Sequence, residues 1–344
     1  MSTSFARRAS SWSPASLAYL IAGIAAVLVL FWQFGFDELA DALSRADGPR
    51  LLAAFAVGIC IRLGYAWRWR LCARALGIEA PLSRIITARL AGDAVGTIIP
   101  GGKIGGDPLR IALLRSPEDK ATSTAASVAL DRVMEWIGNT CCAIAGVTIF
   151  ALTRTGVLDR TTEWMMIVLL LLLALLVTPL GMMRAGRRPL HLLHALQLRS
   201  ARLSRWLELA HETETSLIEF FRSHPRTFTL GTAASLLIEA VIVVEYNLLL
   251  GAFGVHLGWP TVMMAIITGG LARGVPVPAG LGVFEASQVG LLALTSGDAG
   301  LGFVVGIVFR FHEVCWATIG FAVLATRGGL GRLRFLTSTD KAAA

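Results

Sequence analysis

Two arginine–glutamate pairs lie inside apolar segments of this 344-residue chain, where ionisable side chains are energetically expensive and usually carry a function. They are Arg132-x-x-Glu135 and Arg310-x-x-Glu313, and they lie 178 residues apart. In each pair the glutamate follows one helical turn after its arginine, within ion-pairing reach. A guanidinium stays charged when buried and binds phosphate or carboxylate oxygens through two N–H groups at once. The pairs therefore fit either an anion site or internal ion pairs that hold the helices in register.

The same offset repeats a pattern of glycine, alanine, proline and acid upstream of each pair. Its first copy is Gly92, Ala94, Gly96, Pro100, Gly102 and Asp107, and its second is Gly270, Ala272, Gly274, Pro278, Gly280 and Glu285. Proline lacks an N–H and glycine weakens a helix, so neither segment is expected to be one continuous helix. Broken apolar segments at corresponding places in two halves are typical of a transporter site near the bilayer midplane.

The composition predicts an all-α, polytopic membrane protein. Hydrophobic residues make up 55% of the chain and charged residues 16%, and several apolar stretches approach the roughly 20 residues that cross a bilayer. The net charge of +8 lies in segments that flank these stretches, which favours a role in membrane topology and excludes a nucleic-acid-binding face. We predict a single integral membrane domain over residues 1–344, with about six spans at 17–35, 51–67, 121–151, 164–183, 227–251 and 300–326.

Charge bias then sets the orientation. The basic segment 68–89 and the basic C-terminus are expected on the cytoplasmic side, with both termini there. Regions 84–115 and 259–297 then each enter and leave on one face, from opposite sides of the membrane. We therefore predict two opposed re-entrant helical hairpins that form an inverted repeat, unless one region crosses fully. The two repeat units are about 51–151 and 227–326.

The segment 184–226 interleaves arginine with leucine and is then followed by acidic residues. This pattern predicts two amphipathic helices at the cytoplasmic lipid surface, the first attracted to anionic lipid. A loop that only sets the topology explains the same residues.

The predicted binding site combines the two pairs with the hairpin tips. Helix N-termini after the tips offer free N–H groups to an anion, and glycine allows a phosphate to approach them. Asp107 and Glu285 would cap the hairpin helices or bind a cation. The predicted substrate-binding residues are Arg132, Glu135, Arg310, Glu313, Gly101, Gly102, Lys103, Asp107, Gly280, Gly282 and Glu285, with Asp131, Glu239 and Glu245 as candidates for ion coupling.

The sequence contains few residues that suggest an enzymatic activity. The five cysteines have no C-x-x-C spacing, and the chain shows no metal-ligand cluster, no P-loop and no Ser/His/Asp arrangement. His312, which lies within a predicted span, is expected to be a hydrogen-bonded packing residue. We predict no catalytic residue, no metal and no cofactor, and we expect that the protein is not an enzyme.

Several blocks in this order resemble the lysylphosphatidylglycerol synthase transmembrane family, also called flippase-like membrane proteins. They are Arg68-Trp69-Arg70, Pro100-Gly101-Gly102 through Asp107 to Arg110, Leu130-Asp131-Arg132, and Pro276-Val277-Pro278-Ala279-Gly280-Leu281-Gly282 with Glu285. The resemblance covers roughly residues 15–330. It implies a membrane unit that moves a lipid between leaflets, whereas synthase activity resides in a separate soluble domain. Because the chain ends at Ala344, soon after the last span, we expect that domain to be absent. Lys103 departs from the apolar or small residue typical of the family.

These observations predict a lipid translocase of the bacterial inner membrane. Its cargo would be an anionic phospholipid, an aminoacylated lipid, a glycolipid or a hopanoid-type lipid. Two other hypotheses stay open. One is a membrane enzyme acting on a polyprenyl phosphate or a lipid head group. The other is a non-catalytic partner of a lipid-biosynthetic enzyme, docked through 184–226.

Overall fold

The computed structural model describes residues 46–98, 102–116, 119–153, 160–189, 201–275, 277 and 280–326. The predicted span 17–35 and the tip residue Gly101 lie outside these ranges. Within them the chain forms ten α-helices, one 3₁₀ turn at Gly102–Gly106 and no strand, which confirms the all-α prediction. The helices are α1 Gly48–Ala75, α2 Leu82–Ile98, α3 Asp107–Leu114, α4 Ala121–Thr153, α5 Arg160–Arg184, α6 Ala201–Ser223, α7 Pro225–Ala252, α8 Trp259–Arg273, α9 Val283–Ser296 and α10 Ala299–Thr326.

Five of the described helices are long and apolar enough to cross a membrane, namely α1, α4, α5, α7 and α10. The protein is therefore a polytopic membrane protein. Four of these helices match predicted spans within a few residues. The predicted span 51–67 was too short, because α1 continues to Ala75. Its last two turns carry Arg68, which is fully buried, so that charge does not mark the end of the helix.

Helices α1 and α7 are equivalent at the 178-residue offset and pack against each other in opposite directions. The start of α1 lies at the end of α7, where Nη1 of Arg50 donates to the carbonyl oxygen of Gly251 at 3.2 Å. The end of α1 lies near the start of α7, where Nη1 of Arg68 donates to Oγ of Ser235 at 2.9 Å. Two equivalent spanning helices in opposite directions are related by an axis in the membrane plane, as an inverted repeat requires.

A second set of contacts between the halves is reciprocal. Helix α2 packs against α10, and its equivalent α8 packs against α4, which is the equivalent of α10. Gly320 of α10 contacts Leu90 of α2, and Gly146 of α4 contacts Met263 of α8. Such exchange of contacts follows from a two-fold relation between the halves.

Both predicted hairpins turn back on themselves. Helix α2 has 17 residues and is roughly 25 Å long, shorter than the ~30 Å hydrocarbon core. The chain then reverses, and Nε of Arg84 at the start of α2 donates to the carbonyl oxygen of Leu113 at the end of α3. In the second hairpin, Nε2 of Gln288 on α9 donates to the carbonyl oxygen of Ala265 on α8 at 3.1 Å. Each hairpin therefore returns the chain toward the side from which it came.

Two helices were predicted within 184–226, and the structure describes one of them, α6, which packs against α4 and α5. Residues 190–200, where the other helix was predicted, lie outside the described ranges.

Candidate functional site

The two arginine–glutamate pairs each gain the acid at the start of the second hairpin helix. In the first half, Nη2 of Arg132 donates to Oδ1 of Asp107 at 2.5 Å, and its Nη1 donates to Oε1 of Glu135 at 3.3 Å. Asp107 is the first residue of α3, so the repeated acid is brought to the repeated arginine. We call Arg132, Glu135 and Asp107 the first triad.

The second half builds an equivalent group from α10 and α9. Nε of Arg310 donates to Oε1 of Glu285 at 2.9 Å, and its Nη1 donates to Oε2 of Glu313 at 2.6 Å. We call these three residues the second triad. The sequence reasoning had paired each arginine with its own glutamate and left the repeated acid as a helix cap or cation ligand. The structure adds that acid to both pairs.

Glu285 has both a capping and a binding role, whereas Asp107 does not cap its helix. Oε2 of Glu285 accepts from the backbone N–H of Gly282 at 2.8 Å, which satisfies an N–H at the start of α9. The predicted cap is therefore observed at Glu285. In the first half no side-chain cap is formed at Gly106, and the carboxylate of Asp107 accepts from Arg110 and Arg132.

A buried charge cluster surrounds the first triad, and Asp131 is its centre. Its carboxylate accepts from Nε of Arg68 at 2.8 Å, from Nη1 of Arg89 at 2.6 Å and from Nη2 of Arg110. Oε2 of Glu135 accepts from Arg68 and Arg89 as well. All of these groups are buried to within a few per cent. Buried charges of this kind are stable only when paired and hydrogen-bonded, and here each arginine binds carboxylates from other helices.

Aromatic rings line the same cluster. The guanidinium carbon of Arg89 lies 4.4 Å from the ring centre of Tyr65, and that of Arg110 lies 4.2 Å from the ring centre of Trp69. The indole N–H of Trp69 donates to Oγ of Ser127 at 3.2 Å. Cation–π contacts in a desolvated site add to the attraction that holds these guanidinium groups.

Arg68 and Arg89 belong to the basic segment 68–89 from which the orientation is predicted, and the structure adds that both side chains are buried. Arg68 is 0% exposed and Arg89 is 1% exposed. Arg110 was quoted only as part of a family motif, and Asp93, which accepts from Nε of Arg89 at 2.9 Å, was missed. Arg68 and Arg110 stand in the blocks that carry the family resemblance, and that was the available signal. Charge counting cannot separate a surface arginine from a buried one.

A second arginine, also missed from the sequence, accompanies the second triad. Arg273 ends α8, and its Nε lies 3.8 Å from Oε1 of Glu313, beyond hydrogen-bonding distance. The guanidinium carbons of Arg273 and Arg310 lie 4.7 and 5.0 Å from the ring centre of Phe284. One aromatic ring thus supports two cationic side chains.

The two triads differ in their access. In the first triad the side chains of Arg132 and Glu135 are 4% and 1% exposed, and that of Asp107 is 16% exposed. In the second triad Glu285 is 3% exposed, whereas Arg310 and Glu313 are 15% and 19% exposed and the neighbouring Arg273 is 32% exposed. A ligand can therefore reach the second triad and its neighbouring arginine without dismantling a buried cluster.

Two glycines form the turn that precedes the second triad. Gly280 and Gly282 have φ angles of 61° and 77°, in the left-handed region that strains other residues. They turn the chain from α8 into α9 and place Glu285 in the first turn. In the first half, Gly102 and the backbone of Lys103 lie in the 3₁₀ turn, and Gly101 lies outside the described ranges.

The three candidates for ion coupling lie in different surroundings. Asp131 is the centre of the arginine cluster, which favours a structural role. Glu239 accepts a hydrogen bond at Oε1 from the side-chain nitrogen of Asn139, whose amide is oriented so that its oxygen and nitrogen both have partners. Glu245 lies 2.8 Å from Nε2 of His312, which is buried and hydrogen-bonded as expected.

An open cavity of about 410 Å³ lies at the surface between α4, α7 and α8, and no residue of either triad is part of its lining. Its lining, which includes Cys142, Ala240 and Met263, is almost wholly apolar. It suits a hydrocarbon chain and not a polar head group. In the described ranges no three His, Cys, Asp or Glu side chains are placed to hold a metal ion.

The fold and site define a polytopic membrane protein with an inverted repeat, whose halves each bring an arginine and two acids together beside a hairpin. The family model described as the lysylphosphatidylglycerol synthase TM region matches residues 16–320. The chain therefore belongs to this family. It is also similar to a UPF0104 membrane protein from Methanothermobacter thermautotrophicus, with 23% identity over 288 residues that cover 78% of this chain and 82% of that protein.

Proposed function

We propose that this protein is a lipid translocase that binds the anionic head group of a membrane lipid and moves it between leaflets. The observation that carries the proposal is the pair of equivalent triads on halves of opposite orientation. An inverted repeat gives a binding site near the repeat interface two equivalent conformations, open to opposite sides, by rocking one half against the other. The acyl chains would stay in the bilayer, and the apolar cavity between α4, α7 and α8 offers a place for one of them.

The second triad is where the head group would bind. Arg310 keeps Glu285 as a buried partner, whereas its other partner, Glu313, is 19% exposed. A phosphate entering here would replace Glu313 on Arg310 and gain the nearby guanidinium of Arg273. Guanidinium groups bind phosphate strongly because two N–H groups match two oxygens. Glu313 would hold Arg310 in place while the site is empty.

The charge bias of the sequence supports placing both termini in the cytoplasm, and the remaining parts of the proposal rest on the family. The protein would lie in a bacterial inner membrane, and its partners would be membrane lipids and a lipid-biosynthetic enzyme. It would act without covalent chemistry, so it is proposed not to be an enzyme. The transported lipid would be an anionic phospholipid, an aminoacylated lipid, a glycolipid or a hopanoid-type lipid.

A leaflet-exposure assay tests the proposal. The purified protein is placed in liposomes that contain a fluorescent anionic or zwitterionic lipid, and the fraction quenched from outside is followed in time. Wild type is compared with Arg310→Ala, Arg273→Ala and Arg226→Ala. Arg226 is an exposed arginine at the start of α7 and serves as the matched control.

We expect anionic lipid to move in wild type and in Arg226→Ala. Arg310→Ala and Arg273→Ala should each slow this movement by about tenfold or more, the factor that ~1.4 kcal/mol of lost binding free energy gives. Each variant is first shown to be folded by its circular dichroism and unfolding temperature. Equal movement in all four proteins would remove the head-group site from the second triad. No lipid movement in wild type would favour the enzyme or partner hypothesis, and lipid-product analysis would separate those two.

A further inference from the structure

One buried cluster outside both triads has contacts that a fixed protonation state does not satisfy. Nε2 of His312 lies 2.8 Å from Oε1 of Glu245 and 2.9 Å from Nε1 of Trp316. An indole nitrogen only donates a hydrogen bond, so Nε2 must accept from Trp316. The oxygen of an ionised carboxylate only accepts, and two acceptors 2.8 Å apart repel each other. Both contacts are attractive together only when Glu245 carries a proton.

The opposite tautomer does not remove the conflict. If Nε2 carries the hydrogen, it can donate to an ionised Glu245, but the N–H of Trp316 then points at another donor. The contact with Trp316 would have to break. The protonation state of Glu245 therefore determines whether His312 keeps its hydrogen bond with Trp316.

The neighbours of this pair come from both halves of the protein. Arg62 of α1 places Nη1 3.3 Å from Oε1 of Glu245, and its guanidinium carbon lies 3.7 Å from the ring centre of Trp316. On α7 the next residue, Tyr246, lies 5.5 Å from the His312 ring, measured between ring centres. Arg62 and Tyr246 are thus charged or titratable groups that face the pair. Arg62 favours the ionised carboxylate and Trp316 favours the protonated one, so the site has groups suited to both states.

The pair lies at the contact between the two halves, so a proton on Glu245 affects how the halves contact each other. Glu245 lies on α7 and Gly58 on α1, the two equivalent helices that pack in opposite directions. A Cβ at Gly58 would clash with Oε1 of Glu245 and lie 2.8 Å from the Trp316 ring. Glycine at this place lets the carboxylate reach the contact between the halves. Its protonation thus changes an ion pair with Arg62 across that contact.

We propose that Glu245 and His312 form a proton-binding site that couples proton uptake to movement between the two halves. The bound proton resides on the Glu245 carboxyl group and is hydrogen-bonded to Nε2 of His312. Its release leaves a carboxylate that binds Arg62. The coupling rests on the proposed translocase, whereas the proton-binding site itself does not.

Infrared difference spectroscopy tests the site without any transport. Spectra of the purified protein in lipid are recorded at a series of pH values. Wild type should show the C=O stretching band of a protonated carboxylic acid, and the band should be absent in Glu245→Gln. Glu239→Gln, on the same helix and with an amide partner, is the matched control and should keep the band.

A second variant tests the reason for the band. Trp316→Phe keeps the ring but removes the donor, so Nε2 becomes free to donate to an ionised Glu245. The band should then appear only at lower pH than in wild type. The site is overturned if the band persists in folded Glu245→Gln, or if Trp316→Phe leaves its pH dependence unchanged.

Transport separates the two proposals. If lipid moves, its rate should depend on pH in wild type, and this dependence should be lost in Glu245→Gln. A band without any lipid movement would keep the proton site and reject the translocase. Lipid movement without the band would keep the translocase and reject the proton site.

Discussion

The two halves hold the same triad by different means. At the 178-residue offset Asp107, Arg132 and Glu135 correspond to Glu285, Arg310 and Glu313, so the triad is common to both halves. The charges around it are not. The equivalents of Arg68, Arg89, Arg110 and Asp131 are Tyr246, Ile267, Gln288 and Phe309.

The second half uses aromatic packing where the first uses ion pairs. The ring centres of Tyr246 and Phe309 lie 4.2 Å apart, and Phe284 lies against Phe309 and beneath the guanidinium of Arg310. Aromatic packing holds a guanidinium by one face of its plane. The difference teaches that the shared triad marks the symmetry of the fold, while its surroundings decide that Arg132 is buried and Arg310 is partly exposed.

The largest effect should come from Asp131→Ala. The change removes the carboxylate that three buried arginines share. Removing one partner from a buried group of charges costs about 3–5 kcal/mol. The free energy of unfolding in detergent micelles measures it, with the exposed Glu219→Ala as control. A loss no greater than that of the control would show that the first-half cluster is not a stability element.

An arginine of the first-half cluster, Arg89, and Arg310 of the second triad should contribute differently to the free energy of unfolding. Arg89→Met leaves the carboxylates of Asp93, Asp131 and Glu135 with fewer donors in a buried site, and we expect a loss of about 3 kcal/mol. Arg310→Met should lose only about 1 kcal/mol, because Glu313 is partly exposed. Thermal unfolding of both variants gives the comparison. Equal losses would contradict the idea that only the first half is sealed.

The repeated glycines Gly92 and Gly270 should also respond differently to alanine. A Cβ at Gly92 would clash with Cγ of Arg110 and lie 3.1 Å from the carbonyl oxygen of Gly106, whereas a Cβ at Gly270 meets nothing within 4 Å. Overpacking predicts a loss of about 1–3 kcal/mol for Gly92→Ala. Gly270→Ala should change the free energy of unfolding by no more than about 0.5 kcal/mol. Chemical denaturation measures the free energy of unfolding of both variants. Similar losses would contradict the prediction that only Gly92 is closely packed.

The smallest effect concerns the turn into α9. Gly282 has a φ of 77°, and its equivalent in the first half is Ile104, which lies in the 3₁₀ turn. Gly282→Ala should cost about 1–2 kcal/mol from backbone strain. The unfolding temperature of the variant, compared with that of wild type, measures this loss. A more stable alanine variant would show that the turn rearranges.

Much of the fold was predictable because its signals are local or periodic. Apolar stretches gave the helices α4, α5, α7 and α10 within a few residues, and the offset identified both hairpins. The arginine cluster was not predictable in this way. Its contacts join residues far apart in sequence, for example Arg68 and Asp131 over 63 positions. Nothing local distinguishes Arg68 from Arg70 two residues later.

By itself, the sequence determined that this is an all-α membrane protein with two related halves, and it identified the arginine and acids that both halves share. Those features depend on hydrophobicity, helix breakers and a constant spacing, which a single chain displays directly. The tertiary structure decided which arginines are buried, which triad a ligand can reach, and that Glu245 meets His312 beside Arg62. Those outcomes depend on which helices pack together, because burial and pairing across helices determine whether a charge is sealed, exposed or able to take up a proton.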